Sequence, residues 1–145
     1  MKKILVLAAA MAMFASSAFA AGTATVDVSA TVVGSCVFNT ANATLAFPFL
    51  DATVVGPVAG STSLDFQCAS GVSFTISDDT GGAPVMTSTT LAPAQTIPYS
   101  LNYTATGTAS GLNETLVVNA SVAYADFQNA WVDTYTDTVV FTINP

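Results

Sequence analysis

Beyond residue 23 the apolar and polar positions of this chain alternate with a period of two, and no stretch of useful length repeats at helical spacing. The cleanest run opens the series: Ala24, Val26, Val28, Ala30 and Val32 alternate with Thr25, Asp27, Ser29 and Thr31. Gly34-Ser35 breaks that pattern just before Cys36. Thr44 to Leu50 is a short apolar run with Phe47 and Phe49, and Pro48 within it predicts an edge strand or a bulge. Leu64, Phe66 and Cys68 mark another strand, and Val72, Phe74 and Ile76 the next, joined tightly through Ala69-Ser70-Gly71. Asp78 to Pro84 reads as a turn, with two glycines and a proline. Further strands are predicted over Ile97 to Tyr103, Leu116 to Tyr124 and Tyr135 to Ile143. Thr87–Thr90 and Thr104–Thr108 read as loops. Seven or eight short strands separated by turn signals predict an all-β antiparallel sandwich in one domain.

The first twenty residues follow another rule. Lys2 and Lys3 precede an apolar stretch from Ile4 to Phe14, and small residues end it at Ala18-Phe19-Ala20. That order predicts a secretory signal peptide over 1–20, cleaved after Ala20, since the apolar stretch is too short to span a bilayer comfortably. The mature chain of about 125 residues is then expected to have no membrane span.

Charge narrows the function classes. Lys2 and Lys3 are the only cations of the chain and there is no histidine, so cleavage takes the net charge from -7 to -9. Such a chain cannot neutralise phosphates, which argues against nucleic acid and anionic lipid surfaces. A serine nucleophile would find no His or Lys to act as its base. The nine acids are scattered over turns and polar strand faces, and no enzyme activity or cofactor is expected. Asp78-Asp79 beside Gly81-Gly82 suggests either turn formers or a calcium loop, although Ca²⁺ requires roughly six to eight oxygens. Four N-x-S/T triplets, starting at Asn42, Asn102, Asn113 and Asn119, are expected by chance in a chain this rich in Ser and Thr. Cys36 and Cys68, an even pair in an exported chain, predict a disulfide.

Three segments together resemble the spore coat protein U family, which includes subunits of archaic chaperone–usher pili. They are ATVDVSATVVGSC at 24–36, LDFQCASGVSFTIS at 64–77 and YTDTVVFTI at 135–143, and IPYSLNYT at 97–104 is similar to the family's central strand. The chain departs from the family pattern at Asp133, where a glycine is common, and at Val85, where an arginine is common before Met86. The resemblance implies an immunoglobulin-like sandwich lacking its last strand, with a groove filled by the N-terminal segment of a neighbour. It divides the mature chain into a donor strand over 21–33 and a body over 34–145. Ala24, Val26, Val28, Ala30 and Val32 are the expected donor positions, and Tyr135, Val139, Phe141 and Ile143 the expected lining of the acceptor groove. Burying the five donor side chains would contribute on the order of 5–8 kcal/mol. The implied partners are identical subunits in a head-to-tail fibre, a periplasmic chaperone and an outer-membrane usher, and the implied destination is a surface pilus used in adhesion and biofilm formation. Two alternatives stand beside this. Gly34-Ser35 could serve as a hairpin turn that folds the first strand back onto its own domain. The protein would then be a monomeric, lectin-like binding module.

Overall fold

The computed structural model describes residues 23–145, so the signal peptide expected over 1–20 lies outside the described residues. The chain divides into two units between Thr31 and Val32. Residues 23–31 carry no strand and are exposed throughout, with Val26 at 79% and Val28 at 89% of full exposure.

The second unit is built almost entirely of antiparallel strands. In chain order these are β1 (Cys36–Phe38), β2 (Val58–Cys68), β3 (Ser73–Asp78), β4 (Val85–Ser88), β5 (Thr96–Pro98), β6 (Ser100–Asn102), β7 (Thr106–Thr108), β8 (Asn113–Val122), β9 (Tyr135–Thr136) and β10 (Phe141–Asn144). One helical turn, α1 (Tyr124–Phe127), follows β8 and buries Phe127. The strands form three sheets, ordered β1-β2-β8-β6, β10-β3-β7 and β5-β4-β9. The fold is the all-β antiparallel class that the alternation predicts.

The spine is the β2–β8 ladder, which runs from Val58 opposite Val122 to Gln67 opposite Asn113. Along β8 the inward positions Leu116, Val118, Ala120 and Val122 are buried, while Val117 and Asn119 face out. One core cluster gathers Phe66, Phe74, Ile76, Leu116 and Val118, and a second gathers Met86, Ile97, Val122 and Phe127. The Cys36–Cys68 disulfide closes at the start of β1, where the two residues are also ladder partners. It ties the start of the unit to the far end of its longest strand.

Four departures from the sequence expectations have physical causes. The strand expected over Ile97 to Tyr103 is split between two sheets. Pro98 has no N–H to continue a ladder, and the Tyr99 N–H goes to Pro84 O at 3.1 Å, so the chain changes sheet there. The expected loops at 87–90 and 104–108 contain half of β4 and all of β7. Gly107, which reads as a breaker, is required instead by packing, because a Cβ there would lie 2.7 Å from Phe74 Cζ. The expected terminal strand is two, β9 and β10, with a stretch between them where Asp79 exchanges two bonds with Val140. The run from Thr44 to Leu50 joins no ladder.

Carboxylates organise the turns. Asp78 accepts bonds from the Thr80 amide at 2.9 Å, the Thr80 hydroxyl and the Tyr103 hydroxyl at 2.7 Å. Both of its oxygens and Oδ1 of Asp79 are thus engaged by internal donors, in keeping with turn formers. Asp133, at the position of a common family glycine, accepts from the Thr90 and Leu91 amides at 2.9 and 3.2 Å and so shapes the loop after β4. The Thr80 hydroxyl, followed by the Tyr103 hydroxyl, lowers the Asp78 carboxyl to about 2. The Thr90 amide does most to lower Asp133, also to about 2. Both groups bind protons less readily folded than unfolded, so their contribution is complete above the ordinary value of 3.8 and is lost as pH falls through about 2. Melting temperature should therefore hold steady from neutrality to about pH 4.5 and decline below it. Asp78→Asn and Asp133→Asn should each flatten part of that decline, as followed by circular dichroism. An unchanged acid limb in both variants would contradict the assignment.

Candidate functional site

Within the Val32–Pro145 unit, an apolar groove of about 1530 Å³ is bordered by one segment without a ladder and by one that carries β9 and runs into β10. One flank is residues 40–52, which continue from the end of β1, and the other is residues 130–141. Leu64 of β2, Leu101 of β6 and Val118 of β8 line it toward one core cluster, and Met86 and Ile97 toward the other.

In the first flank, burial alternates from Thr44 to Pro48 and then shifts by one, so that Leu50 rather than Phe49 turns inward. Leu45 and Phe47 are half-buried while Thr44, Ala46 and Pro48 are exposed. Leu45 packs on the first core cluster, and Phe47 and Leu50 pack on the second. Gly60 gives this flank its seat, because a Cβ there would lie 2.8 Å from Ala46 O and 3.0 Å from Leu45 Cδ2. Among the described residues, no hydrogen bond engages the backbone of residues 41–50. Leu45 and Phe47 are thus anchored by side-chain burial without a ladder.

The second flank leads into β10, which is the edge of its sheet and pairs on one side only, with β3. Of the residues expected to line an acceptor site, Tyr135, Val139 and Phe141 do line this groove. Ile143 lies opposite Ile76 in the β10–β3 ladder and packs on the first core cluster. Phe141 stacks edge-on against Tyr103, with ring centroids 5.1 Å apart. Tyr99 touches both flanks. Its ring meets Phe47 edge-to-face at 5.8 Å, and its hydroxyl donates to Asp137 Oδ2 at 3.0 Å. Burial, then the bond to Asp137, pushes the Tyr99 hydroxyl above the ordinary phenol range, so it remains a donor near neutral pH.

An unpaired edge beside apolar side chains is costly in water, because backbone groups and hydrocarbon are exposed together. This groove has such an edge on each side and apolar side chains from both core clusters between them. What it suits chemically is an extended segment with alternating apolar residues, which would supply hydrogen bonds to both edges and fill the floor. Phe49 is fully exposed at the rim, and Trp131, also a rim residue, is 67% exposed and so no part of the core. No group of three or more His, Cys, Asp or Glu side chains converges among the described residues. Nor is any helix among them long and apolar enough to cross a membrane.

Residues 40–52 are the groove flank that the sequence reading missed. Their signal was visible in Leu45, Phe47 and Leu50, an apolar run near a proline, but it pointed to a strand rather than to half of a groove.

Comparison with curated proteins and with solved structures gives no match in either case. The model of the Spore Coat Protein U domain matches residues 22–109, more than half of the chain. That span includes both disulfide cysteines, the first flank of the groove and most of its floor. The chain belongs to the Spore Coat Protein U domain family.

Proposed function

We propose that the protein is an exported structural subunit that polymerises by donor-strand exchange. Residues 24–32 of one copy enter the groove of the next, with Ala24, Val26, Val28, Ala30 and Val32 turned to the floor and Asp27 and Ser29 outward. Such a head-to-tail contact is heterologous and does not close on itself, so repetition yields a fibre. The observation that carries this reading is the groove, with residues 41–50 free of backbone bonds among the described residues, the open edge of β10 opposite and an apolar floor, in a chain whose exposed N-terminal segment alternates in the complementary way. A nine-residue strand spans about 30 Å when extended. Family membership supports the wider setting. A periplasmic chaperone protects the groove before assembly, an outer-membrane usher guides it, and the fibre serves adhesion and biofilm formation at the cell surface.

Phe141→Asp tests the groove. It places a charge on the flank beside Tyr103 and should prevent chaperone capture, so that the exported subunit is degraded and little reaches the cell surface. Immunoblots of periplasmic and surface fractions read the outcome. Surface assembly at the wild-type level would place the acceptor site elsewhere.

A further inference from the structure

If residues 24–32 are an exchanged strand, groove and strand lie on one chain and must compete. A strand on a short flexible tether experiences its own groove at an effective concentration in the millimolar range. At micromolar protein, return to its own groove would then exceed exchange by roughly a hundred- to a thousandfold. A subunit meant to polymerise needs something that prevents this return.

The root of the segment supplies it. Cys36 is held twice, by the disulfide and by its place opposite Cys68 in the β1–β2 ladder. Ser35 O accepts the Ala69 N–H at 2.9 Å, which carries the β1 direction one residue further back. Gly34 lies close against Val72, since a Cβ there would sit 3.0 Å from Val72 Cγ2. Gly34 is also not among the glycines with positive φ, which are Gly56, Gly71, Gly81, Gly82 and Gly111. To reach the groove beside residues 40–52, the chain would have to reverse between Val32 and Cys36. A two-residue reversal with glycine first needs positive φ at that glycine, and moving it back one place puts the strain on β-branched Val33. The hairpin that Gly34-Ser35 offers in the sequence is not formed.

We propose that residues 33–36 form a stiff, extended exit that bars the strand from its own groove and reserves the groove for a second copy of the chain. This rests on the exchanged-strand reading above.

The test lengthens the exit. Six Gly/Ser residues inserted between Val33 and Gly34 leave the disulfide, the Ser35–Ala69 bond and the Gly34–Val72 contact in place. The full exported chain and the insertion variant are refolded with the disulfide intact at about 10 µM, a concentration well below the effective millimolar of a flexible tether. Each is then read by size-exclusion chromatography and by hydrogen exchange over residues 24–32. Wild type should give a ladder of oligomers. The flexible insertion should give monomers with residues 24–32 protected and an oligomer fraction at least about tenfold lower. A stiff Pro-rich insertion of equal length should keep the ladder, because it cannot turn back. An unchanged ladder with the flexible insertion, a lost ladder with the Pro-rich one, or flexible-insertion monomers with residues 24–32 unprotected would each overturn the inference. So would wild-type monomers with a protected segment. Wild-type monomers with an unprotected segment would remove the exchanged-strand reading itself.

Discussion

Replacing Val28 with Asp should abolish polymer formation, while the same replacement at Ser29 should leave it nearly unchanged. On the proposed reading Val28 enters an apolar floor formed by residues such as Leu64 and Val118. A carboxylate there would be unpaired, and the described residues contain no Lys, Arg or His to meet it. The cost is on the order of 3 kcal/mol or more, or the equivalent in a raised pKa, which corresponds to about a hundredfold in the exchange equilibrium. Ser29 lies on the opposite face of the strand, where one more charge is tolerated in water. Polymer length distributions for the two variants, measured side by side, give the contrast. Both positions are exposed in the single chain, so loss of subunit stability cannot produce a difference between neighbours. Equal effects at both would contradict the register.

The second large effect is expected at the disulfide. Cys36 and Cys68 are 32 residues apart, and cross-linking a loop of that length stabilises by about 3–4 kcal/mol on the chain-entropy model. For a domain whose total stability is of the order of 5–15 kcal/mol, that is a large share. The bridge also fixes β1 on β2, from which both the strand exit and the groove flank depart in opposite directions along the chain. Cys36→Ser and Cys68→Ser should each lower the guanidinium midpoint sharply and reduce the exported amount. The double variant should resemble the singles, because either change removes the same bond. A loss below about 1 kcal/mol would show that the ladder alone holds the root.

How much of this was legible in the sequence depended on whether the signal was local. In the β2–β8 spine, β8 and the Leu64–Cys68 end of β2 were legible because Leu64, Phe66, Leu116, Val118 and Val122 alternate, and a half-buried strand imposes that period. The Val58–Thr62 end of β2, built mostly of small and hydroxyl residues, was not. The cysteine pairing was legible because two cysteines allow one partner each. The sheet change at Tyr99 was not, because Ile97 to Tyr103 alternates as well as any single strand, and Pro98 reveals its role only when Pro84 O takes the Tyr99 amide. β7 was missed since Gly107 reads as a breaker, whereas the ring of Phe74 lies over it. Of the groove, one wall was legible in Tyr135, Val139 and Phe141. The other wall was not, because Leu45 and Phe47 look like a strand until the absence of a ladder partner shows what they border. The relation of Ile143 to the β3 ladder likewise depends on a pairing across the fold that period alone does not encode.

Hydrogen exchange on the assembled fibre, compared with the Val28→Asp monomer, tests the central claim most directly. The account predicts that amides in three stretches become protected together on assembly: residues 24–32, residues 41–50 and the residues around Val139. These are the segments that should form one ladder, and in the single chain residues 41–50 have no backbone partner among the described residues. Protection of residues 24–32 without any change in the two flanks, or fibres in which residues 24–32 still exchange freely, would contradict it.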